Sequence, residues 1–491
     1  MRRLLALLIG LAALLTVPAA ARAANCTRYT VEPSPIAGAQ RLHFEYGPVH
    51  VSPGQNDIRI SGNDLTPPEE GYVVGFRPNL TLADRNRTVP RVDQIHLHHA
   101  VWLDQNLQPI WAAGEEKTNV TAPPGYGWHY RPTDRWLLNH MIHNLTPSPA
   151  DVCITYDLDF IPMTSPAAQG MHDVRTLWMD VVGLTAYPVF NALMGRHGND
   201  RRYTYPDESG QQGYTNNQKV VPEDGVLVAT AGHLHPGGLY TDLDLTRNGR
   251  TVRLFRSTAH YWEPAGAVSW DVAMTATPTG WRVGVKRGDV LSVHATYDTS
   301  RASWYESMGI MPVAFSPGGP GPDPFTTKVD VRGVLTHGPL AENRNHGGGF
   351  TGMPDARRLL AGTPPAGGVA VKGFTYRAGD LGIQGRRGRP PTIRAGQQLR
   401  FVNHDAAIGI QHSITSCKAP CNRATGIAYP LANGRARFDS GTLGYGPVNF
   451  TAAANRIVWR TPKRLRPGTY TYFCRIHPFM RGAFRVERAK G

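Results

Sequence analysis

Long helices and long apolar runs are what this sequence has least of. No stretch sustains a helical periodicity, and charged residues make up only 18% of the 491-residue chain. The apolar run Leu4–Val17 falls short of the roughly 20 residues that a membrane-spanning helix needs. Cysteine is sparse, with five in all. No H-E-x-x-H motif occurs, which counts against a zinc hydrolase. No nucleic-acid-binding motif accompanies the basic residues.

Glycine (53) and proline (40) are abundant, a composition that favours short strands joined by turns. Stretches rich in β-branched and aromatic residues recur at Gly71–Phe76, Ile95–Leu103, Trp136–His143, Val152–Phe160, Gly225–Thr230, Leu239–Leu245 and Asp289–Tyr297. The expected fold is all-β. Its length suggests about three domains. Arg2, Arg3, the apolar run and Ala21-Arg22-Ala23 read as a signal peptide over 1–23. The mature chain is therefore expected outside the cytoplasm, secreted or periplasmic, with no transmembrane segment. Two β domains are placed at 24–170 and 171–330, a Gly/Pro-rich linker at 331–368 and a final domain at 369–491.

An exported chain pairs its cysteines. Cys474 has metal-ligand neighbours and is left single. Cys417 is paired with Cys421 across a short turn, and Cys26 with Cys153 in part because they remain. Net charge is +15, unevenly spread: 21 Lys+Arg stand against 4 Asp+Glu from Ala366 to Gly491, while the rest is nearly neutral. Such a field suits docking of an acidic redox partner.

The strongest motif runs Gly468-Thr-Tyr-Thr-Tyr-Phe-Cys474-Arg-Ile-His477-Pro-Phe-Met480, with Asn403 and His412 upstream. A thiolate and two imidazoles make a trigonal copper site, with a thioether as weak axial ligand. The expected ligands are His412, Cys474, His477 and Met480. The segment from Val369 to Arg488 resembles plastocyanin-like cupredoxins, most closely amicyanins, which implies a Greek-key β-sandwich and electron transfer. Phe473 and Arg475 flank Cys474, so the paired histidines by which multicopper oxidases wire this cysteine to a trinuclear cluster are missing.

Histidine and methionine also cluster earlier: His96-Leu-His98-His99, His140-Met-Ile-His143, His233-Leu-His235, and Met308-Gly-Ile-Met311. Alternate residues of a strand share a face, so His233 and His235 project together, and so would His96 and His98. In this order, from about Phe44 to Phe315, the clusters resemble the copper type II, ascorbate-dependent monooxygenases. That resemblance implies two jelly-roll-like β-sandwich domains with one copper each. It makes His98, His99 and His143 ligands of an electron-transferring copper. It makes His233, His235 and Met308 the catalytic ligands of a copper that binds O2, with Met311 as competitor to Met308. His96 is kept as a support behind these ligands. Cys26 and Cys153 fall where that family has a disulfide.

The Arg, Asn and Tyr that hold a peptide substrate in the family are replaced here by Ala231, Ile310 and Pro312. A C-terminal glycine peptide therefore lacks its charged partner. Two readings follow: a copper monooxygenase fed by its own blue-copper domain, with ascorbate or another electron donor, or a non-catalytic copper electron carrier on the same scaffold. His337 and His346 read as solvated loop residues.

Overall fold

The computed structural model describes residues 25, 26, 28–55, 58–183, 188–194, 201–206, 217–263, 266–340, 354–382, 387–419, 421, 435–445 and 456–489. The signal-peptide segment 1–23 and His346 lie outside these. The fold is all-β. Among the described residues the helical elements are short 3-10 turns such as Pro166–Ala168 and Asp405–Ile408, and no helix is long and apolar enough to cross a membrane. Each of the seven expected strand segments is a strand, several of them longer than expected, as with Gly71–Leu82 and Ala150–Pro162.

The chain builds three β-sandwiches. In the first, a seven-stranded sheet centred on Ala150–Pro162 faces a four-stranded sheet in which Trp136–Asn144 and Ile95–Leu103 are neighbours. Their core is aromatic and branched, with Phe76, Trp102, Trp111 and Tyr156 in mutual contact. In the second, a seven-stranded sheet faces a four-stranded one built on Gly225–Thr230 and Val313–Pro317. The third packs two four-stranded sheets around Val371, Phe401, Tyr472 and Phe484. The cores interlock: Val226, Val228 and Ala314 of the second sandwich join the first core, and Phe473 of the third joins the second.

Both expected disulfides form, Cys26–Cys153 and Cys417–Cys421, and Cys474 is free and buried. The 331–368 segment is partly held: Val334–Leu335 pairs with Val272–Ala276 of the second sandwich, while Ala356 packs on Leu381 and Ala483 of the third.

Candidate metal centres

The Gly468–Phe473 strand delivers Cys474 to the end of the third sandwich. A tight loop follows. Cys474 N–H donates to the Met480 carbonyl at 3.2 Å, and Met480 N–H to the His477 carbonyl at 2.9 Å. His412 arrives from the other side, bridged through its backbone to Leu443. The Asn403 amide donates to the carbonyls of Ile410 and Leu443 and so clamps that side of the loop. Three donor atoms converge. His412 Nδ1 lies 3.8 Å from Cys474 Sγ, His477 Nδ1 lies 3.6 Å from it, and the two nitrogens are 3.1 Å apart. One metal with bonds of about 2.0–2.3 Å fits between donors at this spacing.

Each imidazole is oriented from behind. His412 Nε2 is 2.9 Å from Asp405 Oδ2, and His477 Nε2 is 3.1 Å from the Gly54 carbonyl of the first sandwich. With Nε2–H donating to these acceptors, each Nδ1 lone pair faces the sulfur. Gly54 must be glycine: its φ is +65°, and a Cβ there would sit 2.7 Å from His477 Nε2. Burial alone would raise the Cys474 thiol. Hydrogen bonds and charge from His412 and His477 outweigh it and hold the thiol well below its ordinary value. Met480 is buried in the same cluster as Cys474.

The earlier histidines meet where the first two sandwiches pack. The Ile95–Leu103 strand carries a bulge: Leu97 pairs with Ile142 and His99 with Met141, so His98 is one extra residue. The extra residue lets parity change sides. Ile95, Leu97, Ala100 and Trp102 enter the first core. His96, His98, His99, Val101 and Leu103 face the other way. Val101 and Leu103 pack against Trp178, Val189, Met308 and Ile310 of the second sandwich. The adjacent pair His98–His99 thus shares a face, and His96 shares it too.

Within that face His98 has several imidazole neighbours. His96 lies opposite His143 across the strands, with rings 5.2 Å apart, and both are about 6.1 Å from His98. The His98 ring is 4.2 Å from His235 of the second sandwich, so the two expected sites adjoin. The His99 ring is 6.0 Å from that of His98, and His99 also borders a pocket with His233. His140 sits on the opposite side of its strand, against Tyr46.

Met308, expected as the third ligand of the His233 and His235 site, packs among Val101, Leu103, Trp178, Val189 and Ile310. Its backbone is linked to that of His235 through the Tyr297 hydroxyl. Met311 is buried in the second core. A carboxylate does approach these two histidines. Among the described residues, donor atoms of Glu115, His233 and His235 lie within 4.8 Å of one another, as do those of His412, Cys474 and His477. Glu115 follows the Pro109–Gly114 strand. Its sequence signal is faint: two adjacent acids, Glu115 and Glu116, after a run of small residues.

A metal fits what these residues lack. His96 Nδ1 is 2.7 Å from the Val92 carbonyl, His233 Nδ1 is 2.9 Å from Glu116 Oε2, and His235 Nδ1 bonds the Glu306 carbonyl. In all three the opposite nitrogen, Nε2, is buried with no hydrogen-bond partner, as are His98 Nδ1 and both Glu115 oxygens. Such atoms are costly to bury unless something binds them. Burial pushes His96 down to about 4 and His99 to about 3, and His98, His143 and His235 well below the usual value, so these imidazoles are neutral and able to ligate. His233 differs: burial would lower it, but Glu116 outweighs burial and raises it to about 9.

Two cavities adjoin the cluster. One of about 50 Å³ is lined by His98, His143, His235, Trp270 and, from the third sandwich, Arg475 and Ile476. Arg475 is anchored there. Its guanidinium bonds the Ser303 carbonyl, pairs with Asp439 at 3.0 Å and lies 4.4 Å from the Trp304 ring. The other cavity, of about 160 Å³, opens beside His99 and His233 with Trp111, Trp178, Ile110 and Pro312 on its walls.

No protein-family model matches this chain, and no curated protein matches it. Among solved structures, a copper-containing nitrite reductase from Thermus scotoductus SA-01 is similar at 15% identity, covering 55% of this chain and 59% of that one, with a TM-score of 0.16. The chain thus spans less than two thirds of that structure's length. A likeness at this level carries no argument about the site, whose own geometry bears on function.

Proposed function

We propose that the chain is an exported copper oxidoreductase. In this reading His412, Cys474, His477 and Met480 would hold a blue copper that supplies one-electron transfer, and the histidines between the first two sandwiches would hold metal that supplies O2 chemistry toward a small substrate. One observation carries it. Arg475 and Ile476, the two residues between Cys474 and His477, line the same cavity as His98, His143 and His235. The thiolate end of the first centre is therefore two residues of backbone from the imidazoles of the second. When bound, the metals supply one-electron storage at the thiolate and O2 reduction at the imidazoles.

The chain's own residues do the rest. Asp405 and the Gly54 carbonyl fix two imidazoles, and the Arg475 anchor holds the ligand loop against the second sandwich. The larger pocket would seat the substrate. Ala231, Ile310 and Pro312 line it, and no Lys or Arg does, so a neutral molecule suits it better than a carboxylate-ended peptide. The overall reaction balances as R–H, O2, two electrons and two protons giving R–OH and water. The electrons come from ascorbate or another donor, and an acidic redox partner would be steered by the basic third sandwich.

The second reading, a non-catalytic electron carrier, is favoured by the apolar packing of Met308. Visible and EPR spectra of copper-loaded protein count the blue and non-blue centres. Oxygen uptake with reductant and a panel of neutral substrates then separates the readings. Uptake that depends on substrate, with one hydroxyl formed per O2, is the expected result. Non-blue centres that are loaded yet inert toward every substrate leave the carrier reading.

A further inference from the structure

We infer that Glu115 completes a two-histidine, one-carboxylate site for a divalent first-row ion with His233 and His235, and that Met308 is not a ligand of it. This rests on the reading that metal is held between the first two sandwiches. The donor atoms of the three side chains already lie within 4.8 Å of one another. Glu115 is fully buried and both its oxygens lack a hydrogen-bond partner. An ionised carboxylate is costly to bury in such a place unless it is paired or bound to an ion. His233 and His235 are each tethered through Nδ1, by Glu116 and by the Glu306 carbonyl, and present bare Nε2 atoms.

The neighbouring backbone is shaped for this cluster. Gly114 lies so close that a Cβ there would sit 2.4 Å from His233 Cε1 and 2.5 Å from Glu116 Oε2. Met308 is held by Val101, Leu103, Trp178 and Val189 in a separate apolar cluster. The chemistry follows from the donors. A thioether favours Cu(I), whereas two imidazoles and a carboxylate suit ions such as Fe(II), Co(II) or Zn(II).

The test uses the full chain with Cu(II) preloaded at the Cys474 centre, whose colour reports that each variant is folded. Co(II) is the probe, followed by titration calorimetry and analysis of bound metal. In Glu115→Gln one Co(II) equivalent should be lost or weakened at least tenfold, while Met308→Leu should bind within twofold of the parent. Weakening in Met308→Leu, alone or beside Glu115→Gln, overturns the assignment. So does undiminished binding in Glu115→Gln. A parent chain that takes up no Co(II) overturns the interdomain metal reading itself, a different result from metal that binds without Glu115.

Discussion

Asp159 takes no part in the metal chemistry, yet it shows how single residues hold the scaffold. Its buried carboxylate accepts from Ser34 Oγ at 2.7 Å, from Arg41 Nε at 3.1 Å and from Arg77. Gly75 opposite it leaves the room, since a Cβ there would lie 2.4 Å from Asp159 Oδ2. Burial would raise this carboxyl, but Arg77, Ser34 and Arg41 prevail and lower it. A lowered folded value means that the stabilisation is complete above the unfolded value of about 4 and fades as pH falls through the folded one. Asp159→Asn should therefore cost about 1–3 kcal/mol at neutral pH. The gap between the denaturation curves of parent and variant should shrink on acidification below about pH 4. A gap that persists unchanged into acid would assign the loss to packing instead.

At this scale the sequence was readable where ligands share one loop. Cys474 and His477 lie three residues apart in one loop, and the structure brings their donor atoms together with that of His412. The approach of Glu115 to His233 and His235 was not readable, because nothing adjacent in sequence marks a carboxylate whose neighbours lie more than a hundred positions away. Met308 was placed by its order along the chain, and the structure packs it with Val101 and Trp178.

Elements explain the histidine face. Strand period places His96 with His98 and separates His98 from His99, and only the bulge reconciles the three. A bulge depends on the partner strand's register, so a single sequence does not reveal it. The bulge also makes an unusual deletion permissible. Without His98, alternation from Ile95 to Leu103 becomes regular, and Leu97, Ala100 and Trp102 still point into the core. Deleting His98 should change stability by no more than about 1 kcal/mol and leave the blue absorption intact. It should remove or reshape the EPR signal of copper at the His96 and His143 cluster. A chain that fails to fold would show that the bulge itself supports the sheet.

Across the whole molecule, Cys26–Cys153 ties the start of the described chain to the longest strand of the first sandwich, over a separation of 127 residues. A crosslink closing so long a loop is worth about 2–5 kcal/mol. The Cys26→Ser, Cys153→Ser double variant should melt several degrees lower, measured in the copper-free state so that metal does not mask the loss. An unchanged midpoint would mean that the sandwich core alone fixes that end of the chain. The all-β character was legible from composition, since few charges and many turn residues leave little else. The packing of the three bodies was not, because it depends on surfaces rather than on local pattern.

That packing sets a kinetic condition. His412, Cys474 and His477 are wholly inaccessible to solvent, and a carbonyl from the opposite end of the polypeptide, Gly54, rests on His477. The described residues must therefore move before an ion from solution reaches these ligands, and the Gly54 contact points to the seam between the first and third bodies as the place that parts. Colour development after copper is added to the folded apoprotein should then follow a first-order rate that stays constant as the copper concentration is raised, so that metal uptake becomes a clock for how often the seam opens.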